Sequence, residues 1–301
     1  MNRTEWSLLL ILSLLWGGSF FFVELALRGL PPLSIVWGRV SIAALLLGLI
    51  LTVRRQRFFV EKSEGATPAR VLGAMALMGL LNNAIPFTLI VLAQGRIDSA
   101  LAAIVNATTP LWTVVVAHLF TVDERITPAK AAGLGFGFAG VAVMAGRAGG
   151  GEALAILCCL GAALSYGLAS VWGRRFRRMG VTPLASAFGQ TGCATLLLLP
   201  VWLLIDRPWA LPAPGTGAVL AVVAMAVLST ALAYLIFFRL LATAGATNLS
   251  LVTFLIPVSA AILGLVFLGE TLQPRHLLGF LLIAAGLLAM DGRLLRRLRP
   301  Q

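Results

Sequence analysis

Ten apolar runs, each close to the length of a membrane-spanning helix, constrain this chain more than any other feature. A transmembrane α-helix needs about 20 consecutive apolar residues. The 301-residue chain is 59% hydrophobic and 11% charged, whereas soluble domains carry about 25% charge. A water-soluble protein is therefore excluded. We predict an all-α integral membrane protein whose ten transmembrane helices cover 6–27, 33–53, 71–94, 99–120, 128–146, 153–173, 183–205, 217–241, 247–268 and 274–291.

The basic residues between the runs predict how the helices are oriented. Cytoplasmic loops of membrane proteins are enriched in Lys and Arg. With ten spans both termini share one side, which holds 17 basic residues against five on the other. We therefore expect both termini in the cytoplasm. The 17 are Arg3, Arg54, Arg55, Arg57, Lys62, Arg70, Arg125, Lys130, Arg174, Arg175, Arg177, Arg178, Arg239, Arg293, Arg296, Arg297 and Arg299; the five are Arg28, Arg96, Arg147, Arg207 and Arg275.

The chain is also an internal duplication, because matching positions recur 146 to 151 residues apart. Each unit has five helices, an odd number, so the second unit must enter the membrane in the opposite direction. The loops after matching helices carry opposed charge bias, as an inverted-topology repeat requires. We predict two five-helix repeats, residues 1–148 and 149–301. The matched pairs are Arg39 with Gln190, Pro110 with Pro257, Glu124 with Glu270, Pro128 with Pro274, and Gly133 with Gly279.

Motifs spread along the chain point to a family. They are LLWGGSF at 14–20, GRVSIAALLL around Arg39, TPLW at 109–112, DERITPAKAAG at 123–133 and LIPVSAAILGLVFLGETLQPRHLLGFLLIAAG at 255–286. Together they resemble the drug/metabolite transporter superfamily and, within it, the ten-helix EamA-type family. Asp123 departs from the pattern, because the family usually has Gly before this Glu. The resemblance covers the whole chain and implies a pseudo-twofold basket that moves small metabolites, often amino acids out of the cell.

A candidate substrate site lies in the third span. Transporters with inverted repeats bind substrate near the midplane, where helices are interrupted. At 1.5 Å per residue, Asn82 and Asn83 lie about 18 Å into the span, close to Pro86. We predict a polar substrate site beside a kink. The alternative is an interhelical hydrogen bond made by these amides.

Two matched prolines give a second candidate site. Proline clashes with the carbonyl of the residue four positions earlier, which must then find another partner. For Pro110 and Pro257 those residues are Asn106 and Thr253. We expect each to offer a released carbonyl and a polar side chain to substrate at a depth of about 10–12 Å. The alternative is that both prolines only bend their helices.

Arg39 lies about 10 Å inside the second span, where a charged side chain is a functional candidate by default. We favour a gating or structural ion pair, for which Glu24 near the end of the first span is the candidate partner. Contact with a substrate carboxylate and snorkelling toward the membrane surface are the alternatives. The matched residue, Gln190, is neutral and joins the candidate substrate-binding residues.

Three aromatic residues lie deep in spans rather than at the interfaces where Trp and Tyr usually concentrate. They are Trp16, Tyr166 and Tyr234, of which the first two occupy matched repeat positions. Their rings could stack on an apolar substrate or attract a cation. Ordinary packing is the alternative.

Other functional sites are less consistent with the sequence. Metal-dependent enzymes need clustered Asp, His or Glu, which the chain lacks, so we expect no enzyme activity, no cofactor and no metal. Cys158, Cys159 and Cys193 have no zinc-ligand spacing and are expected to pack as small apolar residues. The G-x-G-x-x-G string at 135–140 follows no strand and predicts close helix packing rather than dinucleotide binding.

These features favour an exporter of small metabolites, above all amino acids with aromatic or large apolar side chains, that works by alternating access. An exporter of lipophilic cations or drugs is the alternative, and a non-transporting membrane scaffold or sensor is a candidate from another class. Apart from Asp291 at the very end of the tenth span, Glu24 is the one acidic residue within a span, so we expect gradient-driven transport without proton coupling. The expected partners are a small-molecule substrate and the lipid bilayer, without nucleic acid. The oligomeric state stays open, a monomer included.

Overall fold

The computed structural model describes residues 1–59, 67–122, 124–146 and 149–291. Most of the residues used above fall within these ranges. Those that lie outside the described residues are Lys62, Asp123, Arg147, Arg293, Arg296, Arg297 and Arg299.

The described chain is a bundle of helices, with one isolated bridge between Phe59 and Val181. We name its α-helices α1–α12; α3, α9 and α11 contain π-helical turns. The helices are α1 (Arg3–Leu27), α2 (Pro32–Val53), α3 (Pro68–Gln94), α4 (Ser99–Asn106), α5 (Thr109–Phe120), α6 (Pro128–Ala145), α7 (Gly150–Arg178), α8 (Pro183–Ile205), α9 (Thr216–Thr243), α10 (Gly245–Leu249), α11 (Val252–Leu268) and α12 (Pro274–Asp291).

Length and apolarity place most of these helices in a membrane. Eight helical segments of the described chain are long and apolar enough to cross a bilayer, counting α4 and α5 together. α11 and α12 are shorter apolar helices. The predicted all-α membrane architecture is confirmed at this level.

Three helices begin with a Thr-Pro pair. Thr67, Thr127 and Thr182 precede the first residues of α3, α6 and α8, and each threonine hydroxyl accepts a hydrogen bond from a first-turn backbone N–H. Proline suits the first helical position because its missing N–H would have no partner there, and threonine is a favourable N-cap. These pairs fix where the helices enter the bundle.

Two segments predicted as single helices are each divided. The chain leaves regular helix at 107–108, between α4 and α5, and at 250–251, between α10 and α11. The prediction of continuous helices over 99–120 and 247–268 was therefore wrong in detail. Apolar composition alone does not reveal such a break, because the residues on both sides remain hydrophobic.

Two wide helical turns occur at matching places in the sequence. Leu80–Ala84 in α3 and Val227–Leu232 in α9 are π-helical, and their first residues are 147 positions apart (80 to 227). A π turn interrupts the regular hydrogen-bond pattern and is frequent at functional sites. Pro86 lies two residues beyond the first π segment, so the predicted interruption of the third span is confirmed.

The cysteines pack in the hydrophobic interior. All three are free thiols. Cys159 is buried in a cluster with Leu111, Met144 and Ile283, and Cys193 is buried in a second cluster. Their predicted role as small apolar packing residues is confirmed.

Glycines bring α6 and α12 into close contact, as the sequence predicted. A Cβ added to Gly140 would lie 2.6 Å from the Gly279 carbonyl oxygen, and one added to Gly133 would meet the Gly286 carbonyl. Gly135, on the same helix, is exposed and has open space around it. The packing therefore depends on some glycines of α6 and not on others.

We predict that Gly140→Ala lowers the Tm of the purified protein, because overpacking a helix contact costs about 1–3 kcal/mol. The matched variant Gly135→Ala should keep or slightly raise the Tm, since Ala favours helix by about 1 kcal/mol over Gly. Thermal unfolding in detergent measures both. Equal Tm changes in the two variants would contradict the close contact.

Candidate substrate-binding site

Polar side chains from four helices meet in the interior of the bundle. They come from α2, α3, α8 and α9, and are joined by hydrogen bonds or by electrostatic interaction. We call this group the central polar cluster. It consists of Arg39, Asn82, Asn83, Gln190, Thr230 and Tyr234.

The π segment of α3 supplies the two amides. Asn82 Nδ2 donates to Gln190 Oε1 at 2.9 Å and to the Tyr234 hydroxyl at 3.0 Å. Asn83 Nδ2 donates to the same hydroxyl at 3.3 Å. The Leu81 carbonyl, in the middle of the π segment, accepts from Ser165 Oγ of α7 at 2.6 Å. Both predicted asparagines therefore belong to one hydrogen-bonded site with Gln190 and Tyr234.

Arg39 contributes a buried positive charge. Its side chain is only 7% exposed. Nε donates to Thr230 Oγ1 at 2.9 Å, and the guanidinium carbon lies 3.7 Å from the centre of the Phe87 ring. Cation–π contact of this kind offsets part of the cost of burying a cation.

The expected ion pair between Arg39 and Glu24 is not formed. In the described part of the chain, ion pairs join Arg174 to Glu124 and Arg275 to Glu152, and neither involves Arg39. Depth along a helix does not specify the direction in which a side chain points, so two residues at suitable depths need not meet.

The contacts of the cluster follow the repeat. Arg39 of α2 matches Gln190 of α8, and Asn83 of α3 lies 147 positions before Thr230 of α9 (83 to 230), within the two π segments. Arg39 bonds to the π segment of α9, and Gln190 bonds to that of α3 through Asn82. A contact between matched helices is thus made twice, once by a guanidinium and once by a neutral amide, although the residues bonded in the π segments, Thr230 and Asn82, are not themselves matched. Thr230 was missed from the sequence, although adding 147 to 83 would have found it.

Some polar atoms of this region have no partner. Asn83 is 0% exposed, and its Oδ1 has no hydrogen-bond donor. Ser229 Oγ in the other π segment is also buried and unpaired. Within the described ranges, Nε is the one Arg39 nitrogen that donates a hydrogen bond, and Nη1 and Nη2 have no acceptor but are not fully buried. Buried polar groups without partners are rare and call for a functional explanation.

The sequence of the whole chain matches one protein family. The profile of the EamA-like transporter family matches residues 4–146 and again residues 153–290. The chain belongs to the EamA-like transporter family.

Relatives extend this assignment. The chain is 29% identical over 271 residues to the "Uncharacterized inner membrane transporter YedA" of Escherichia coli strain K12, covering 88% of this chain and 83% of the relative. It is 25% identical over 305 residues to the "Probable terminal-alkyne amino-acid exporter" of Streptantibioticus cattleyicolor, covering 99% and 97%. A crystal structure aligns with a TM-score of 0.66 at 22% identity, over 99% of this chain and 100% of the other. That likeness shows a shared fold.

In this EamA-like transporter an aromatic row leads to the central polar cluster. The Trp16 and Phe237 ring centres are 5.6 Å apart, those of Phe237 and Phe238 are 5.2 Å apart, and those of Phe238 and Tyr234 are 6.1 Å apart. Tyr166 interacts electrostatically with Arg39 and packs against two hydrophobic clusters. The structure thus brings Tyr166 and Tyr234 to the cluster, and places Trp16 at the far end of the row.

The matched prolines lie outside the central polar cluster. Pro110 is the second residue of α5, and the Asn106 carbonyl accepts from Thr109 Oγ1 at 2.7 Å. Thr109 is thus a partner for the Asn106 carbonyl, while Asn106 Oδ1 is buried without a hydrogen-bond partner. Pro257 lies inside α11. Neither Asn106 nor Thr253 forms a hydrogen bond with the central polar cluster in the described structure.

Two carboxylates, both missed by sequence reasoning, cap helices of the opposite repeat. Glu270 accepts from the backbone N–H of Ser99 at 2.8 Å and of Ala100 at 3.1 Å, at the start of α4. Asp206 accepts from the Ser34 N–H at 2.6 Å, in the first turn of α2. The sequence signal is a carboxylate placed directly after an apolar helix, but the partners are 171 and 172 residues away.

Glu270 also affects a nearby acid. Burial and the Glu270 carboxylate raise the pKa of Asp98, which lies between α3 and α4. Glu24 interacts electrostatically with both of these carboxylates. The three acids therefore form a group beside α4 and away from Arg39.

α4 and α10 occupy matched positions, but they differ in how far their residues are exposed. Every residue from Ser99 to Val105 is buried, whereas Ala246 in α10 is exposed. Glu124, the match of Glu270, pairs with Arg174 at 2.6 Å and caps no helix in the described structure. Ser99–Val105 is thus fully buried, whereas α10 combines the exposed Ala246 with the buried Leu249.

A cavity of about 440 Å³ lies between α3 and α7, lined by Arg70, Trp172 and Arg175 among others. The Arg175 guanidinium carbon lies 3.1 Å from the centre of the Trp172 ring. This cavity opens to one side and shares no residue with the central polar cluster. The central polar cluster is the candidate substrate site because residues at matched positions of the two repeats meet there. The residues that line this cavity are not at matched positions.

We predict that Tyr234→Phe destabilises the protein by about 1–3 kcal/mol, because the buried Asn83 and the half-buried Asn82 lose their shared acceptor. The comparison variant Tyr166→Phe should have a smaller effect on stability, since the Tyr166 hydroxyl forms no hydrogen bond in the described structure. Thermal unfolding in detergent compares the two. A larger loss for Tyr166→Phe would contradict the arrangement of the cluster.

Proposed function

We propose that this chain exports small metabolites, above all amino acids, across the bacterial inner membrane by alternating access around the central polar cluster. The observation that carries the proposal is the cluster itself, because both repeats supply matched side chains to one buried polar site. Membership of a transporter family supports it, and so does the relative described as an amino-acid exporter.

The proposed topology is ten spans in two inverted five-helix units, residues 1–148 and 149–301, with both termini in the cytoplasm. Two matches to one family profile support the division. The excess of basic residues on the side of the termini supports the orientation.

The charge of the site supports one of the two substrate classes, the amino acids. The central polar cluster contains Arg39 and, among the described residues, no carboxylate. A bare organic cation would meet unbalanced positive charge in a low-dielectric interior, where repulsion is strong. An amino acid brings its own carboxylate, so this site favours amino acids over lipophilic cations. The aromatic row from Trp16 to Tyr234 suits a large apolar or aromatic side chain.

The difference between α4 and α10 supports alternating access. In the proposed orientation α4 begins at the outer surface, and the buried, Glu270-capped α4 closes that side. In the same orientation α10 lies at the cytoplasmic side, and we propose that the exposed Ala246 marks this side as the open one. Inverted repeats can exchange conformations, and we propose that export proceeds when α4 opens and α10 closes.

Cysteine labelling tests this gate. In a background without native cysteines, Ala246→Cys should react with N-ethylmaleimide faster than Ala102→Cys, which is buried in α4. Adding Glu270→Gln should speed labelling at position 102 by roughly tenfold, because loss of a helix cap costs about 1–2 kcal/mol. Glu124→Gln is the matched control and should leave that rate unchanged. The gate assignment fails if Glu270→Gln has no effect at position 102.

Counterflow in proteoliposomes tests the transport function. Labelled L-phenylalanine and L-leucine should exchange, and tetraphenylphosphonium should not. Exchange of the organic cation without exchange of the amino acids would support the drug-exporter alternative. If no amino acid exchanges, the exporter proposal is wrong.

The same liposomes test the energy source. Since no carboxylate of the described chain lies in the central polar cluster, we expect equal amino-acid flux with and without an imposed pH gradient. Flux that requires the gradient would overturn this expectation and would direct attention to Glu24, Asp98 and Glu270.

A further inference from the structure

We infer that the central polar cluster recognises the charged backbone groups of an amino-acid zwitterion, with Arg39 binding the α-carboxylate and Asn83 Oδ1 accepting from the α-ammonium. This inference rests on the proposed function and names the groups of the substrate that the site binds.

The first step is the unpaired charge of Arg39. Burying a cation without a counter-charge is strongly unfavourable. In the described chain Arg39 bonds to Thr230 and lies over the Phe87 ring. It also interacts electrostatically with the Tyr166 and Tyr234 hydroxyls, but none of these neighbours is a carboxylate. Nη1 and Nη2 have no acceptor there. A carboxylate is the anion whose two oxygens match the planar guanidinium fork.

Thr230 orients this fork. Its hydroxyl donates at 3.1 Å to the carbonyl of Met225, five residues earlier and in the α-helical turn that precedes the π segment. Oγ1 therefore presents a lone pair to Arg39 Nε, which donates at 2.9 Å. With Nε held in this way, the two Nη groups are the part of the guanidinium that can receive substrate.

The repeat supplies an internal comparison. Gln190, the match of Arg39, also bonds across to a π segment, yet it does so without charge. A neutral amide is therefore sufficient to form a hydrogen bond between a helix and a π segment. The positive charge at position 39 needs another explanation, and binding of an anionic group provides one.

The second step is the unpaired acceptor of Asn83. Its Nδ2 donates to the Tyr234 hydroxyl, while Oδ1 is buried and receives no hydrogen bond. An ammonium group carries three donors and no acceptor, so it matches this oxygen. The Tyr234 hydroxyl accepts from both Asn82 and Asn83, which leaves its own hydrogen to donate to the substrate carboxylate beside Arg39.

Counterflow with three probes tests both halves of the inference. L-phenylalanine carries both charged groups, L-phenylalaninamide lacks the carboxylate, and 3-phenylpropionate lacks the ammonium. The native protein should exchange phenylalanine at least tenfold better than either analogue, because a hydrogen bond to a charged group contributes about 1.5–3 kcal/mol.

Two variants should lose different preferences. Arg39→Gln should remove the advantage of phenylalanine over phenylalaninamide and keep its advantage over 3-phenylpropionate. Asn83→Ala should do the reverse. Arg207→Gln, an exposed arginine outside the cluster, is the control and should keep both preferences.

The outcomes separate this inference from the proposed function. If the native protein exchanges phenylalanine and phenylalaninamide equally, the role of Arg39 is wrong while amino-acid transport stands. If Arg39→Gln keeps the preference for phenylalanine over its amide, the inference is equally overturned. Exchange of no amino acid at all overturns the proposed function and this inference with it. If a variant does not fold, the exchange ratios of the native protein still decide the question.

Discussion

Inside a bilayer no water is available to satisfy polar backbone groups, so a helix that departs from regular hydrogen bonding must find partners in the protein. The interior of this transporter depends on two such departures, the π segments of α3 and α9. Ser165 satisfies the Leu81 carbonyl of one, and Thr230 satisfies the Met225 carbonyl associated with the other. The same segments bring Asn82, Asn83 and Thr230 into the centre of the bundle. Local backbone geometry thus creates the polar site.

The two π segments are each contacted by a side chain from another helix, but only one of these side chains is charged. Gln190 makes a neutral contact with the first π segment, and Arg39 makes a charged contact with the second. The backbone arrangement is therefore nearly symmetric, but the charge distribution is not. Positive charge lies on the Arg39 side of the site, and the unpaired amide oxygen of Asn83 lies in the π segment of α3. Such a site distinguishes the two ends of a zwitterion, which a symmetric neutral site would not do.

The sequence predicted the membrane class, the interrupted third span, the glycine contacts of α6 and most members of the central polar cluster. These features have local signals: long apolar runs, an amide pair next to a proline, and small residues at helical spacing. It did not predict the break before α5, because the flanking residues remain apolar and Thr109 satisfies the Asn106 carbonyl. It also missed the Glu270 cap on α4, since partners 171 residues apart leave no local pattern. The expected pairing of Arg39 with Glu24 failed for a related reason, as depth gives no direction around the helix.

The most direct test of the account is a structure of the protein bound to L-phenylalanine. The account predicts that the α-carboxylate lies within hydrogen-bond distance of the Arg39 Nη atoms and that the α-ammonium lies within hydrogen-bond distance of Asn83 Oδ1. It is contradicted if the amino acid occupies another place, such as the cavity beside Trp172, while Arg39 keeps Thr230 as its one hydrogen-bond partner.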